Sequence, residues 1–121
     1  MRIQSFIVMT LLLLAPLTAF SLNFSFLNNT ASQEFDNQDW KLFDAAFHAA
    51  MTNTPDGKKK TWSNPATGNH GYLQPLSSTK KDNIPCRNLK IVSYAKTIQL
   101  PDNYTFMFCK KGGDWQVASG G

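Results

Sequence analysis

The stretch Thr61-Trp62-Ser63-Asn64-Pro65-Ala66-Thr67-Gly68-Asn69-His70-Gly71 decides the fold of this 121-residue chain. Residues 61–63 predict a strand, residues 64–69 predict a turn, and Gly71 to Leu76 predicts the returning strand. Gly68 supports the turn because glycine adopts a positive φ without strain. The stretch therefore predicts a small β module and not an active site.

Downstream of this hairpin the pattern predicts further strands and connections. The predicted strands are Arg87 to Ala95, Tyr104 to Phe108 and Trp115 to Val117. The polar run from Ser77 to Asn83 predicts a loop, and Lys110 to Asp114 predicts the last tight turn.

Upstream of the hairpin the sequence predicts one helix. Asp36 or Asn37 can cap its first turn, where Asp39 adds the negative charge that a helix N-terminus favours. An apolar stripe at helical spacing follows, formed by Trp40, Phe43, Phe47, Ala50 and Met51. The helix is expected to end near Asn53, because the next residues, Pro55-Asp56-Gly57, are typical of a turn.

The chain has two cysteines, Cys86 and Cys109, so only one intramolecular disulfide is possible. If the third and fourth strands pair as a hairpin, the two sulfurs come opposite each other at its open end. Such a bridge would stabilise a small domain by about 3 kcal/mol. A reactive or a metal-binding cysteine is the alternative, but there is no C-x-x-C spacing or histidine cluster to support it.

The first residues predict export. Arg2 provides a positive start, and Phe6 to Leu14 is an apolar stretch too short to cross a bilayer but typical of a signal peptide. We expect residues 1–21 to be a signal peptide cut after Ser21, with Ala19 as the other possible position. A buried helix or a membrane anchor is the alternative interpretation.

The remaining chain is long enough for one domain. Residues 22–36 predict an extended lead-in that packs loosely, and residues 37–121 predict the folded domain. No cysteine follows the predicted cleavage site closely, so we expect no lipid at the mature N-terminus and no stable membrane anchor after cleavage.

The charges and histidines indicate no catalytic or cofactor site. The formal net charge is +4, with lysines clustered at residues 58–60 and 80–81 in predicted loops, where solvated lysines are the usual case. Export argues against nucleic acid as a partner. His48 lies on the polar side of the predicted helix, where a solvated histidine is the usual case, and His70 lacks a nucleophile or carboxylate partner, so we predict no catalytic residue, no metal and no cofactor.

The motifs together resemble a known family. Asp44-Ala45-Ala46, the run from Trp62 to Gly71, Pro85-Cys86-Arg87, Cys109 and Gly113-Asp114-Trp115 are similar to the C-terminal domain of the 17-kilodalton surface antigen family of Gram-negative bacteria. Family members often carry a lipobox cysteine and a glycine-rich membrane-associated segment before this domain, and this sequence shows neither. The resemblance implies an envelope protein and brings no catalytic residues with it.

The predicted fold class is α+β, with the N-terminal helix packed on one face of an antiparallel sheet of four or five strands closed by the disulfide. The side chains expected in the core or at its edge are Trp40, Phe43, Phe47, Trp62, Leu73, Ile91, Phe106, Phe108 and Trp115.

Three functions are compatible with the sequence. The first is a non-enzymatic module of the cell envelope, located in the periplasm, on the outer-membrane surface or outside the cell. It would bind a protein or an envelope polymer through a turn whose candidate binding residues are Asn64, Thr67, Asn69 and His70. The second is a secreted inhibitor of a hydrolase such as lysozyme. The third is a small hydrolase that uses Asp102, Asp114 or His70, although their spacing supports no pairing of acid and base.

Overall fold

The computed structural model describes residues 30–120, and the predicted signal peptide and residues 22–29 lie outside this range. Five strands form one antiparallel sheet in chain order, and the helix packs on one of its faces. The predicted α+β class is confirmed. The elements are a 3-10 helix (Thr30–Glu34), α1 (Asn37–Asn53), β1 (Lys60–Ser63), β2 (His70–Lys81), β3 (Ile84–Tyr94), β4 (Asp102–Lys111) and β5 (Asp114–Gly120).

The helix has the bounds that its sequence predicts. Asp36 is the N-cap, and its side chain accepts a hydrogen bond from the backbone N–H of Asp39 at 2.8 Å. The Asp39 side chain accepts one from the backbone N–H of Asp36 at 2.9 Å, which completes a capping box. No residue of the last helical turn is basic, so the helix itself provides no positive charge at its C-terminus.

The predicted loop at Ser77 to Asn83 is wrong. Residues 77–81 continue β2 and pair with β3, and the connection is only the two-residue turn Asp82-Asn83. Both turn residues have positive φ, 51° and 66°, which is the backbone that a two-residue hairpin needs and that aspartate and asparagine tolerate. The register shifts between Pro75 and Ser77, so a bulge at Leu76 interrupts the alternation on which the strand prediction relied.

The predicted extended lead-in is also wrong for the residues next to the helix. Thr30–Glu34 is a 3-10 helix whose backbone N–H groups at Ala31 and Ser32 each donate to the carboxylate of Asp102, at 3.0 Å. Phe35 then packs into the core, edge-on against the rings of Trp40 and Trp62. This segment is fixed because a buried carboxylate at the start of β4 pairs its backbone donors.

The core lies between the helix and the sheet. Eight of the nine predicted side chains are buried there, and Trp40 packs against the cluster from a partly buried position. The core also contains Phe35, Ala46, Ala50, Met51 and Leu89. Most of the aromatic contacts are edge-on, with ring centroids 5.0–6.4 Å apart.

The predicted disulfide is confirmed. Cys86 and Cys109 are directly opposite each other in the register of β3 and β4, and their sulfurs are bonded. The bridge closes a loop with a sequence separation of 23 residues at the end of the hairpin away from its connection.

We expect a Cys86→Ala/Cys109→Ala variant to lose about 3 kcal/mol of unfolding free energy, because an uncrosslinked chain has more conformational freedom when unfolded. Urea unfolding followed by tryptophan fluorescence measures the loss. Reductant should destabilise the natural protein and leave the variant unchanged. Equal stability of the two oxidised proteins would contradict this role for the bridge.

Candidate functional site

The turn between β1 and β2 is a closed structure. Asn64 accepts hydrogen bonds at its carbonyl from the backbone N–H groups of Thr67 and Gly68, at 3.2 and 2.8 Å. Its side-chain oxygen accepts another from the N–H of Ala66, and its own N–H donates to the carbonyl of Asn69 at 2.9 Å. Gly68 has a φ of +79°, as the turn prediction requires. The backbone of this turn is thus held by its own residues.

Three side chains of the turn bind one carboxylate of the helix. The side chain of Asp39 is fully buried, and its Oδ1 accepts from Asn64 Nδ2 and from Thr67 Oγ1, each at 2.8 Å. Its Oδ2 accepts from Asn69 Nδ2 at 2.9 Å, in addition to the bond from Asp36. The turn and the first turn of the helix therefore share a single buried charge, which we call the Asp39 network.

This network keeps Asp39 ionised. Burial alone raises the pKa of the Asp39 carboxyl, because a charge loses its hydration inside the protein. The hydrogen bonds from the Asp36 N–H and from the Asn69, Thr67 and Asn64 side chains outweigh burial, and the pKa is lower than its ordinary value. The network thus stabilises the fold through a charge whose two oxygens are fully bonded.

Gly71 allows the end of the turn to pack against its neighbours. A Cβ at this position would lie 2.3 Å from the carbonyl oxygen of Val92 and 3.0 Å from Nε1 of Trp62. The first atom belongs to the backbone of β3, so a side chain at position 71 would push two paired strands apart. Glycine is required here for space and not for a special φ.

We expect Gly71→Ala to lower the free energy of unfolding by about 1–3 kcal/mol, the usual range for overpacking. Chemical unfolding of the purified variant measures this. Gly112→Ala is not a suitable control, because its φ of +60° adds strain of a different kind. Ala118→Gly, at an exposed position of β5, is the control for a change of one methyl group. It should lower the free energy of unfolding by less than Gly71→Ala does.

Arg87 closes the other end of the helix. Its Nη1 donates to the carbonyls of Ala50 and Met51, at 2.7 and 3.1 Å, and its Nη2 donates to the carbonyl of Thr54 at 2.8 Å. Nη2 also binds Asp56 Oδ1 at 2.7 Å, and Nε donates to Ser78. The hydrogen bond from Arg87 lowers the pKa of Asp56. A strand residue therefore provides the positive charge and donors that the C-terminus of the helix lacks.

The candidate binding residues of the turn divide into two groups. Asn64 and Asn69 are buried and Thr67 is half-buried, and all three bind Asp39. His70 is exposed, and its ring stacks on that of Tyr94 with centroids 4.8 Å apart and planes 10° apart. The exposed aromatic surface next to the turn is thus formed by His70 and Tyr94.

Asp102 and Asp114, two residues of the hydrolase alternative, do not come together. Asp102 is buried at the start of β4, where it binds the 3-10 helix, whereas Asp114 is the first residue of β5 and lies opposite Lys111, the last residue of β4, in the strand register. His48 contacts Asp44 of its own helix at 3.4 Å. Within residues 30–120, no group of three or more histidine, cysteine or acidic side chains could hold a metal ion.

Sequence reasoning missed the roles of Asp39 and Arg87, although each had a signal. Asp39 is in helical phase with the buried Phe43 and Phe47, and Arg87 is on the same face of its strand as the buried Leu89 and Ile91. A charged residue on an apolar face must be paired, so both positions indicate buried polar networks.

Comparison with curated proteins finds three relatives that share the same name. The chain is 35% identical to the 17 kDa surface antigen of Rickettsia prowazekii over 89 residues, which cover 69% of the chain and 53% of the relative. It is 42% identical over 40 residues to that of Rickettsia felis, with 33% and 25% covered. It is 38% identical over 45 residues to that of Rickettsia canadensis, with 37% and 56% covered.

The match is partial on both sides. The chain spans about half of the Rickettsia prowazekii and Rickettsia canadensis relatives and a quarter of the Rickettsia felis one. No family model and no solved structure matches. None of the helices within residues 30–120 is long and apolar enough to cross a membrane. On the strength of these three relatives, the chain belongs to the 17 kDa surface antigen family.

Proposed function

We propose that this protein is an exported, non-enzymatic interaction module of the cell envelope. The observation that carries the proposal is the similarity to the surface antigen of Rickettsia prowazekii, over more than two thirds of the chain. The internal use of the polar residues agrees with it: the Asp39 network and Arg87 bind parts of the fold itself. Chemistry of the hydrolase type would need a free acid and base close together.

The contact surface that we propose is the exposed pair of His70 and Tyr94 with the strand edge beside it. A shallow groove of about 390 Å³ lies there, lined by Thr61, Ser63 and Tyr72 as well as the pair. Stacked rings are rigid, so they lose little conformational freedom when a partner docks. The partner is a protein or an envelope polymer.

Two experiments test the proposal. In the first, intact cells are treated with protease, and envelope and medium are separated. The protein should be found outside the cytoplasm, and a cytoplasmic location would disprove export.

In the second, a photo-crosslinker placed at Ser63 of the natural protein and of a His70→Ala/Tyr94→Ala variant reports contacts in cells. The variant should fold normally and lose crosslinked products.

Asn69→Ala is unsuitable for that second test. Its Nδ2 binds Asp39 and its Oδ1 accepts from the N–H of Lys96, so the substitution damages the fold as well as the surface. Unchanged crosslinking in the His70→Ala/Tyr94→Ala variant would exclude this surface as the contact site. The inhibitor alternative is tested separately by lysozyme activity in the presence of the purified protein.

A further inference from the structure

The strand topology brings four lysines to one end of the sheet. The β2–β3 and β4–β5 turns are at the same end, because the sheet is an antiparallel meander. Lys80 and Lys81 are the last residues of β2, and Lys110 and Lys111 are the last residues of β4. All four are exposed, and none forms a salt bridge within residues 31–119. This lysine end is opposite the His70 and Tyr94 surface.

The four lysines line two concave surfaces. Lys80 and Lys110 line a groove of about 760 Å³ between the C-terminus of the helix and the sheet. Lys81 and Lys111 line a smaller one of about 230 Å³ on the other face, beside the disulfide. The larger groove is wide open to solvent, so its charged side chains can be reached by a ligand.

The lining of the larger groove is positively charged and partly aromatic. It contains Lys80, Lys110 and Arg87 and no acidic side chain, although Asp56 binds Arg87 from outside it. Lys110 Nζ is 6.0 Å from the centre of the Trp115 ring.

We propose that the lysine end binds a soluble ligand that carries more than one phosphate group. Lysine binds phosphate as a point charge, and lysines on both faces of one sheet end can contact successive phosphates of the same ligand. Lipid headgroups of a bilayer are disfavoured as the source of these phosphate groups. The two turns at the lysine end are Asp82-Asn83 and Gly112-Gly113, and they have no apolar side chain that could insert into a membrane.

Binding of inorganic polyphosphate to the whole chain, measured by titration calorimetry at low salt, tests the proposal. A Lys80→Gln/Lys110→Gln variant should bind at least about tenfold more weakly, because each lysine provides a charged contact. The matched control is Lys41→Gln/Lys58→Gln, which removes the same charge from exposed positions elsewhere and should change the affinity less than about twofold. Thermal unfolding of each variant checks its folding.

Three results would overturn the proposal. They are no binding of polyphosphate at low salt, equal weakening by the two double variants, and binding only to vesicles of phosphatidylglycerol and phosphatidylcholine. A Lys81→Gln/Lys111→Gln variant that matches the natural protein would overturn the part that concerns the second face. Neither the cellular location nor the crosslinks of the His70 and Tyr94 surface enter this experiment, so the two proposals can fail independently.

Discussion

An Asp39→Asn variant is expected to lose about 3–5 kcal/mol of unfolding free energy, because two buried donors lose a charged acceptor, and this is a large part of the stability of a domain of this size. The amide keeps the shape of the carboxylate but removes its charge and turns one acceptor into a donor. The new NH2 group takes the place of one of the two oxygens, so the two donors that bound this oxygen face another donor inside the protein. These two donors are either Asn69 Nδ2 and the Asp36 N–H, or Asn64 Nδ2 and Thr67 Oγ1. The melting temperature should fall by more than about 12 °C, or the domain should not fold.

Asp44→Asn is the matched control for this effect. It makes the same chemical change on the same helix, but the Asp44 side chain is 37% exposed and its contact with His48 is 3.4 Å. We expect it to cost less than about 0.5 kcal/mol. If both variants melt within a few degrees of the natural protein, the Asp39 network does not hold the helix to the turn.

The stabilisation by Asp39 should also disappear in acid. Its pKa is lower in the folded protein than the ordinary value of 3.8, so its contribution is fully present above that value. The contribution falls as the pH drops through the lower folded pKa. The stability difference between the natural protein and Asp39→Asn should therefore be constant near neutral pH and decrease below about pH 4. A difference that does not change down to pH 2 would contradict the lowered pKa.

An Arg87→Ala variant is expected to lose about 2–4 kcal/mol, the second largest effect. Three backbone carbonyls at the end of the helix lose their Arg87 donor, and the carboxylate of Asp56 loses its ion-pair partner and keeps only the hydrogen bond from Ser78. The Arg87 side chain is only 12% exposed, so water replaces few of these bonds. Urea unfolding and helical circular dichroism measure the loss.

Arg87→Lys distinguishes geometry from charge. Lysine keeps the positive charge near the helix C-terminus but cannot make the forked contacts to Ala50, Thr54 and Ser78 together. It should recover less than half of the loss. Lys90→Ala, on the same strand, is the control for removing a cation and should have a small effect. Full recovery by lysine would show that only the charge matters.

The helix could be predicted because its signals are local. The cap at Asp36, the apolar stripe and the turn at residues 55–57 all lie within about twenty residues. The disulfide was also predictable, since two cysteines allow one pairing and the strands that flank them set the register. In each case the sequence contains both the residue and its partner in a recognisable pattern.

The turn from Asn64 to Asn69 shows what local patterns miss. The sequence predicts its backbone, but the family resemblance and the lack of a catalytic pattern make its side chains candidates for binding a partner. Their acceptor, Asp39, is 25 to 30 residues away, and only the folded chain brings it close. The predicted end of β2 is wrong for a related reason. The residues from Ser77 to Lys81 are all polar or charged, and they form a strand only because they pair with β3.

The position of the disulfide determines how the chain can assemble. Cys86 and Cys109 join two adjacent strands of one hairpin, so oxidation requires only that hairpin to form. The helix is attached differently: the contacts of Asp39 and Arg87 connect residues 25 to 37 positions apart, and all of them are hydrogen bonds. Cross-linking of the hairpin can therefore precede docking of the helix, which brings Phe43 and Phe47 onto the sheet.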